Sequence, residues 1–211
     1  HGDLCGEHGR DNKGVPMEGS SRIPFLLHAP GVVPPGTVVR SALGNVDFKP
    51  TILALMGITN PTTDEGRDAS VLFRTGRAPA DWADHAFVRI GGGPKRTTAG
   101  EDGELAEGNG WLGTFSRDYK FIVAPGAAPS LFDLANDPHA LTNLFAAPAQ
   151  RATVRRLATA LHDYAQRFQD PHLAAPRVKS DLAWAMSASA DYPAPADPAP
   201  AAGKAKRKNK Q

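Results

Sequence analysis

Apolar residues that recur at helical spacing near residue 160 constrain the fold of this 211-residue chain more than any other feature. The residues are Val154, Leu157, Leu161, Tyr164 and Phe168. Because this spacing places them on one face of a helix, the pattern predicts an amphipathic helix over residues 149–168. A helix with one apolar face must bury that face, so we expect it to pack on a sheet.

Short apolar segments upstream of that helix supply the expected sheet. The strand candidates are residues 85–90, 111–115, 119–123 and 131–134. Ser116-Arg117-Asp118 lies between two of them and is typical of a hairpin turn. We therefore predict that residues 85–172 form a small subdomain, in which an antiparallel sheet packs against the C-terminal helix.

The chain opens with a polar, glycine-rich segment, residues 1–22, that combines histidines, carboxylates, a lysine and an arginine. The apolar residues 23–28 follow and are predicted to form a short strand. In α/β proteins the loops at strand ends carry reactive groups, because the strands hold such loops in place. The predicted fold class is therefore α/β, with residues 1–84 forming part of a larger domain.

A helix is predicted from Asp47 to Gly57. Asp47 can cap the free amides, Pro50 falls in the first turn, and Gly57 can adopt the left-handed conformation that ends a helix. The spacing places on one face Phe48, Ile52, Leu55 and Met56. Residues 59–84 are polar and predict irregular structure.

The composition of the chain indicates which partners are not expected and which segments should lie outside the packed core. The formal net charge is +2, which gives no sign of a nucleic-acid partner, and no apolar run approaches the roughly 20 residues that span a bilayer. Residues 91–110 are rich in glycine and charge and predict a long loop. Residues 173–211 become rich in Ala, Pro and Lys, so we expect a disordered tail.

Four blocks of sequence, in the same order, resemble the sulfatases of the alkaline-phosphatase superfamily, and together they cover about residues 1–172. The opening block contains Gly6-Glu7-His8-Gly9 followed by Lys13. The blocks that follow it are Val46-Asp47-Phe48-Lys49-Pro50-Thr51-Ile52, then Gly66-Arg67-Asp68-Ala69-Ser70-Val71-Leu72, and finally Asp118-Tyr119-Lys120-Phe121-Ile122 with residues 131–144. The resemblance implies the C-terminal part of an alkaline-phosphatase-like sulfatase fold.

The resemblance also assigns roles to residues of the opening block. His1 matches a metal ligand, and Lys13 matches a lysine that directs its ammonium group at a sulfate oxygen, a role that suits a compact charge on a flexible stem. His8 matches a histidine close to the substrate. Glu18 and Arg22 match residues that support the site. Taken without the family, the two histidines read as surface-loop residues and Lys13 as a solvated lysine.

In sulfatases the nucleophile is a formylglycine made within a Cys/Ser-x-Pro-x-Arg motif, and the metal is usually Ca²⁺, with Mg²⁺ as an alternative. This sequence has no such motif, and Cys5, which is followed by Gly-Glu-His, does not fit it. We therefore expect the nucleophile and most metal ligands to lie upstream of residue 1, and the 211-residue chain to be inactive by itself. By family analogy, the enzyme is periplasmic or secreted and acts on small-molecule or glycan sulfate esters.

Two other functions stay open. Phosphonate monoester hydrolases and phosphodiesterases of the same superfamily share the opening motifs. Alternatively, the chain is a truncated, non-catalytic product whose sheet and helix serve in binding. In either case the strand predicted at residues 23–28 would expose an unpaired edge unless other strands lie beside it.

Overall fold

The computed structural model describes residues 2–61, 64–91 and 110–193. The helices are α1 (Glu18–Ser21), α2 (Phe48–Leu55), α3 (Ser70–Thr75), α4 (Arg151–Arg167) and α5 (Pro176–Met186). The strands are β1 (Ala86–Ile90), β2 (Trp111–Phe115), β3 (Tyr119–Ala124) and β4 (Ala127–Asp133). Short 3-10 turns occupy Glu7–Gly9, Asn45–Asp47, Pro148–Gln150 and Pro171–Ala174.

The four strands form one antiparallel sheet in the order β1-β2-β3-β4. Thr114 of β2 pairs with Phe121 of β3, which pairs in turn with Leu131 of β4. The predicted antiparallel sheet is therefore confirmed, and residues 116–118 form the connection between β2 and β3. Most of the predicted loop at 91–110 lies outside the described residues.

The helix predicted at residues 149–168 is confirmed as α4 and the 3-10 turn before it. Its residues Val154, Leu157 and Leu161 are almost completely buried against the sheet. On the same face the ring of Tyr164 stacks on Phe87 of β1, with ring centres 4.0 Å apart. Through this contact the helix also covers β1, the first strand of the sheet.

The predicted tail is wrong at its start, because α5 lies inside residues 173–211. Val178, Leu182 and Ala185 are buried at helical spacing against α4 and β3. The guanidinium of Arg151 also lies 3.7 Å from the ring centre of Trp184. The tail was predicted from the Ala- and Pro-rich composition of the residues that follow α5, and this composition outweighed the helical spacing within α5 itself.

Residues 194–211, the rest of the predicted tail, lie outside the described residues. Among the helices that are described, none combines the length and apolar character needed to cross a bilayer. The division at residues 84 and 172 into two units and a tail is otherwise not tested and stays a prediction.

The second face of the sheet is also buried, and the opening segment lies against it. Trp111, Ile122 and Phe132 form a smaller apolar cluster on this face. The indole Nε1 of Trp111 donates a hydrogen bond to the carbonyl oxygen of Gly14, at 2.9 Å. The sheet therefore supports the opening segment on one side while the helices cover the other.

The strand predicted at residues 23–28 is wrong within the described part of the chain, where these residues form no strand. A strand requires a partner for its backbone groups, and none of the four described strands pairs with this segment. Its side chains are unevenly covered: Phe25 stacks on Phe48 at 4.3 Å, whereas Leu26 is 94% exposed.

Helix α2 is confirmed, but the predicted cap and apolar face are not. Asp47 makes no capping bond to α2; its buried carboxylate accepts hydrogen bonds from the amides of Gly44 and Arg67 instead. The buried residues of the helix are Pro50, Thr51 and Leu55, while Ile52 and Met56 are exposed. Gly57 adopts the expected left-handed conformation, with φ +70°.

Helix α3 occupies part of the region predicted to be irregular. Leu72 and Phe73 of this helix pack with Leu55 in a small third cluster. The helix is only six residues long, too short for a periodic pattern to be recognised. This cluster gives the first third of the chain a core of its own, though a small one.

Candidate functional site

The segment that carries the predicted site residues folds into a tight loop. The amide of Leu4 donates to the carbonyl of Asn12 at 2.8 Å, and the amide of Gly6 donates to the carbonyl of Arg10 at 2.9 Å. These bonds bring the two arms of the loop together and place His8 near its tip, inside the 3-10 turn. The loop is therefore held by its own backbone.

This loop contains an unusual concentration of left-handed backbone. Cys5, His8 and Asn12 have φ values of +49°, +56° and +72°, and the neighbouring Gly6 and Gly9 are also left-handed. For a residue other than glycine this conformation costs about 1–2 kcal/mol. Such conformations persist where surrounding contacts enforce them, and they concentrate at functional sites.

Asp3 ties the loop together through its carboxylate. Its Oδ1 accepts hydrogen bonds from the amides of Cys5 at 3.0 Å and Asn12 at 3.2 Å. The bond from the Cys5 amide, above all, lowers the pKa of Asp3. The same carboxylate raises the pKa of the Cys5 thiol, chiefly by accepting its hydrogen bond. A thiol kept protonated is a poor nucleophile, in agreement with its exclusion from that role.

Lys13 is exposed beside a firmly anchored residue, Gly14. The amide of Gly14 donates to the hydroxyl of Ser20 at 3.0 Å, and its carbonyl accepts the bond from Trp111. The backbone at this point is thus held from α1 and from β2. The ammonium group of Lys13 extends from this fixed base.

A broad, open cleft runs from this loop along the 23–27 segment to β1 and the β2–β3 turn. Basic side chains outnumber acidic ones along it. The basic residues are Arg10, Lys13, Arg22, Arg40, Arg89 and Arg117, and the acidic ones are Asp11, Glu18 and Asp118. A cleft with this balance of charge attracts anions.

Glu18 and Arg22 lie close to each other at α1. Glu18 begins α1, and its Oε2 lies 3.9 Å from Nη1 of Arg22, whose side chain is 80% exposed. The other oxygen, Oε1, lies 3.4 Å from Nζ of Lys120 on β3. The pair with Lys120 was not predicted from the sequence.

Lys120 is fully buried, with its side chain 0% exposed. Its ammonium group lies between the rings of Phe115 and Phe132, at 5.7 and 5.5 Å from their centres. Burial lowers the pKa of Lys120, while the charge of Glu18 opposes this shift. A lysine between the apolar residues of a strand is the sequence signal that could have found it.

The predicted residues do not all reach one place. Lys13, Glu18 and Arg22 line the cleft, whereas His8 is half-buried in its turn and does not. His1 lies outside the described residues. The roles assigned to these five residues are not tested by the geometry and stay predictions.

A metal centre is not assembled by the described residues. Within residues 2–61, 64–91 and 110–193, no group of three or more His, Cys, Asp or Glu side chains could hold a metal ion. Calcium takes six to eight oxygen ligands. The residues present therefore do not fit a calcium site by themselves.

The fold is shared with solved proteins of the alkaline-phosphatase superfamily. A solved protein in complex with its substrate D-glucosamine-2-N,6-O-disulfate matches with a TM-score of 0.67 at 23% identity, over 80% of this chain and 33% of that one. A phosphonate monoester hydrolase from Silicibacter pomeroyi matches with a TM-score of 0.62 at 26% identity, over 82% of this chain and 35% of that one. The chain thus has part of an alkaline-phosphatase-like fold.

Sequence comparison identifies the family. Residues 6–91 match the family model for the C-terminal part of N-sulphoglucosamine sulphohydrolase. An arylsulfatase from Clostridium perfringens is 30% identical over 68% of this chain and 27% of its own length. An N-acetylglucosamine-6-O-sulfatase from Bacteroides thetaiotaomicron is 24% identical over 80% of this chain and 29% of its own length. The chain belongs to the sulfatase family and corresponds to its C-terminal portion.

Proposed function

We propose that this chain is the C-terminal portion of a sulfatase that hydrolyses sulfate esters. The observation that carries the proposal is the position of Lys13, an exposed cation on an anchored loop at the wall of a basic cleft. The chain spans less than a third of the two sulfatase relatives, 27% and 29% of their lengths. This coverage supports the proposal that the activity belongs to a longer protein.

The proposed role of Lys13 follows from the charge of the reaction. A sulfate ester carries a negative charge on its sulfate group, and the leaving oxygen gains charge as the S–O bond breaks. An ammonium group held near the sulfate binds the substrate and stabilises this charge. Because Gly14 is bonded to Ser20 and Trp111, the base of the Lys13 side chain stays in position. His8 would help to orient the substrate.

We propose that a formylglycine, from an upstream Cys/Ser-x-Pro-x-Arg motif, supplies the nucleophile. The sequence here holds no such motif, and the pKa of the Cys5 thiol is raised. Ca²⁺, or Mg²⁺, is proposed as the metal on family grounds, with His1 as a ligand. No step is assigned to the metal, because the described residues lack a ligand set for it.

The proposed substrates are glycan sulfates. One relative is an N-acetylglucosamine-6-O-sulfatase, and one structural neighbour holds a disulfated glucosamine. The basic wall of the cleft suits a substrate with several anionic groups. Because sulfated glycans lie outside the cell, a periplasmic or secreted location is proposed by the same analogy.

Substitution of Lys13 tests the role of this side chain. In a form extended upstream to the length of its relatives, K13A should lower kcat/KM for glucosamine 6-sulfate by about 100-fold, the usual cost of removing one group that stabilises transition-state charge. K179A, on the exposed surface of α5, is the matched control and should change the rate less than about twofold. Equal rates for K13A and K179A would remove Lys13 from the mechanism.

Phosphonate monoester hydrolysis is the second candidate, favoured by the likeness to the Silicibacter enzyme at 26% identity and TM-score 0.62. The two activities are separated by comparing kcat/KM for 4-nitrophenyl sulfate and phenylphosphonate. A higher value for the sulfate supports the sulfatase. The 211-residue chain alone should hydrolyse neither compound, and turnover by it would overturn the view that the nucleophile lies elsewhere.

A further inference from the structure

Lys120 lies where the strand pattern calls for an apolar side chain. On β3, Ile122 and Ala124 share the face of the sheet to which Lys120 belongs, and both are buried. Lys120 is as buried as they are, although it carries a charge. A buried ammonium group has a large desolvation penalty, so an apolar residue would fill this place more easily.

The charge of Lys120 is directed at the opening segment. Its Nζ lies 3.4 Å from Oε1 of Glu18, a residue 102 positions earlier in the chain. Glu7, in the turn that also contains His8, adds a second negative charge that acts on the same ammonium group. Asp137, which follows β4, acts on the same group more weakly. The buried cation is therefore attracted chiefly by two carboxylates of the opening segment.

Those two carboxylates belong to closely interlocked pieces of backbone. A Cβ atom on Gly19 would lie 2.7 Å from Oε2 of Glu7, so the turn and α1 approach each other within contact distance at this glycine. Ser20 of α1 in turn holds the amide of Gly14, next to Lys13. A displacement of α1 would therefore be transmitted to the base of the Lys13 side chain.

We propose that Lys120 is a positioning residue, which acts through Glu18 to fix α1 and the loop that carries Lys13 against the sheet. The inference deepens the proposed function, on which its kinetic test rests. Lys120 touches no substrate in this account, because it lies below the loop with its side chain fully buried. Its effect on the reaction is indirect.

Amide hydrogen exchange tests the positioning without any activity. In the 211-residue chain, K120M should leave protection of the β2–β3 amides unchanged, because methionine fills the same apolar space. The amides of Gly2 and Gly14, which donate hydrogen bonds to Ser20 of α1, should exchange about tenfold faster. Equal loss of protection in the sheet and the loop would indicate a merely structural role and overturn the proposal.

Three further variants are controls for this result. E18Q removes the partner charge while it keeps the size of the side chain, and it should loosen the same amides. The double variant K120M/E18Q should be no worse than either single variant, since both act through one contact. K49M is the matched control, because Lys49 pairs with Asp64 on the exposed surface at 2.9 Å. It should leave exchange in the opening segment unchanged, and additive effects in the double variant would contradict the coupling.

Kinetics of the extended form provide the second readout. K120M should lower kcat for a sulfate ester by about tenfold or more while KM changes less than about threefold, because the loop then samples the productive position less often. Unchanged kcat together with loosened amides would overturn the link to catalysis. If the extended wild-type form hydrolyses no sulfate ester, the proposed function fails, and the exchange experiment still decides whether Lys120 positions the loop.

Discussion

The two halves of the described chain differ in how they bury their apolar residues. The C-terminal half, from β1 to residue 193, packs its sheet against α4 and α5 in one continuous core. In the opening half, described over residues 2–61 and 64–85, the main apolar cluster is the small one around Leu55 and Leu72. The opening half nevertheless carries the predicted site residues. The sheet of the better-packed half holds this segment through the contacts of Trp111 and Lys120.

Exposed apolar side chains make the same contrast. In the C-terminal half the large exposed ones are Ile90 and Leu141. In the opening half they are Phe25, Leu26, Val38, Val46, Ile52, Met56, Ile58 and Val71. A concentration of this kind marks a surface that contacts another part of a protein. The opening half therefore leaves more apolar surface in contact with solvent than the C-terminal half does.

The largest effect is expected from the C-terminal core. Leu157→Ala removes a fully buried side chain and should lower the free energy of unfolding by about 2–5 kcal/mol. Leu26→Ala makes the same chemical change at a side chain that is 94% exposed, and should cost less than about 0.5 kcal/mol. Urea denaturation measures both. Equal losses would show that the opening half is packed as well as the other.

Removal of a buried carboxylate tests the difference between the halves, because it should destabilise the opening half alone. Asp47→Ala leaves the amides of Gly44 and Arg67 without their buried acceptor and also removes the ion pair with Arg67. We expect the local free energy of unfolding of residues 44–76 to fall by about 1–3 kcal/mol, while that of the sheet stays unchanged. Hydrogen exchange resolves the two regions, and the contrast would be broken if β3 lost protection to the same extent.

A smaller effect is expected when an exposed apolar residue of the opening half is changed, and self-association is the property that reports it. We expect the 211-residue chain to associate through the exposed apolar side chains of residues 23–27, which line the cleft. Leu26→Asp should weaken this association by about tenfold, the effect of removing one leucine from an apolar contact. Leu141→Asp is the control, since Leu141 is 73% exposed in the other half. Sedimentation velocity distinguishes them. If both variants associated to the same extent, association would not depend on the exposed apolar residues of the opening half.

The smallest effect concerns pH at the junction of the halves. Burial, helped by Arg67 and Arg156, lowers the pKa of His85 from 6.5, so the folded protein favours the neutral ring. The unfolded chain then binds the proton more readily, and stability is lost as pH falls from 6.5 through the lowered pKa. His85→Gln should flatten the stability profile in this window. A wild-type profile that is already flat there would contradict the assignment.

The fold was predictable from the sequence where its signals are local. The stripe of α4 and the short strands around Ser116-Arg117-Asp118 repeat within a few residues, and both predictions are confirmed. Asp47 is a residue whose main contact is not local. Its position before α2 predicted a cap, but its carboxylate is used by Arg67, 20 residues away, which no local pattern reveals.

The candidate site differs from the fold, because the roles of its residues rest on a family resemblance and stay predictions. Lys13, Glu18 and Arg22 were proposed from one ordered block of sequence, and the structure places all three along one cleft. Lys120 was missed as part of the site, since its partner Glu18 is 102 residues away and only the fold joins them. The metal site stays a prediction, because the described residues offer no cluster of three or more possible ligands.

The most direct test of the account is the release of sulfate from 4-nitrophenyl sulfate and glucosamine 6-sulfate by a form extended upstream to the length of the relatives. Ion chromatography of free sulfate, with the 211-residue chain measured in parallel, gives the answer. We expect the extended form to release sulfate and the 211-residue chain alone to release none. No release by an extended form that carries a formylglycine and is supplied with Ca²⁺ would contradict it.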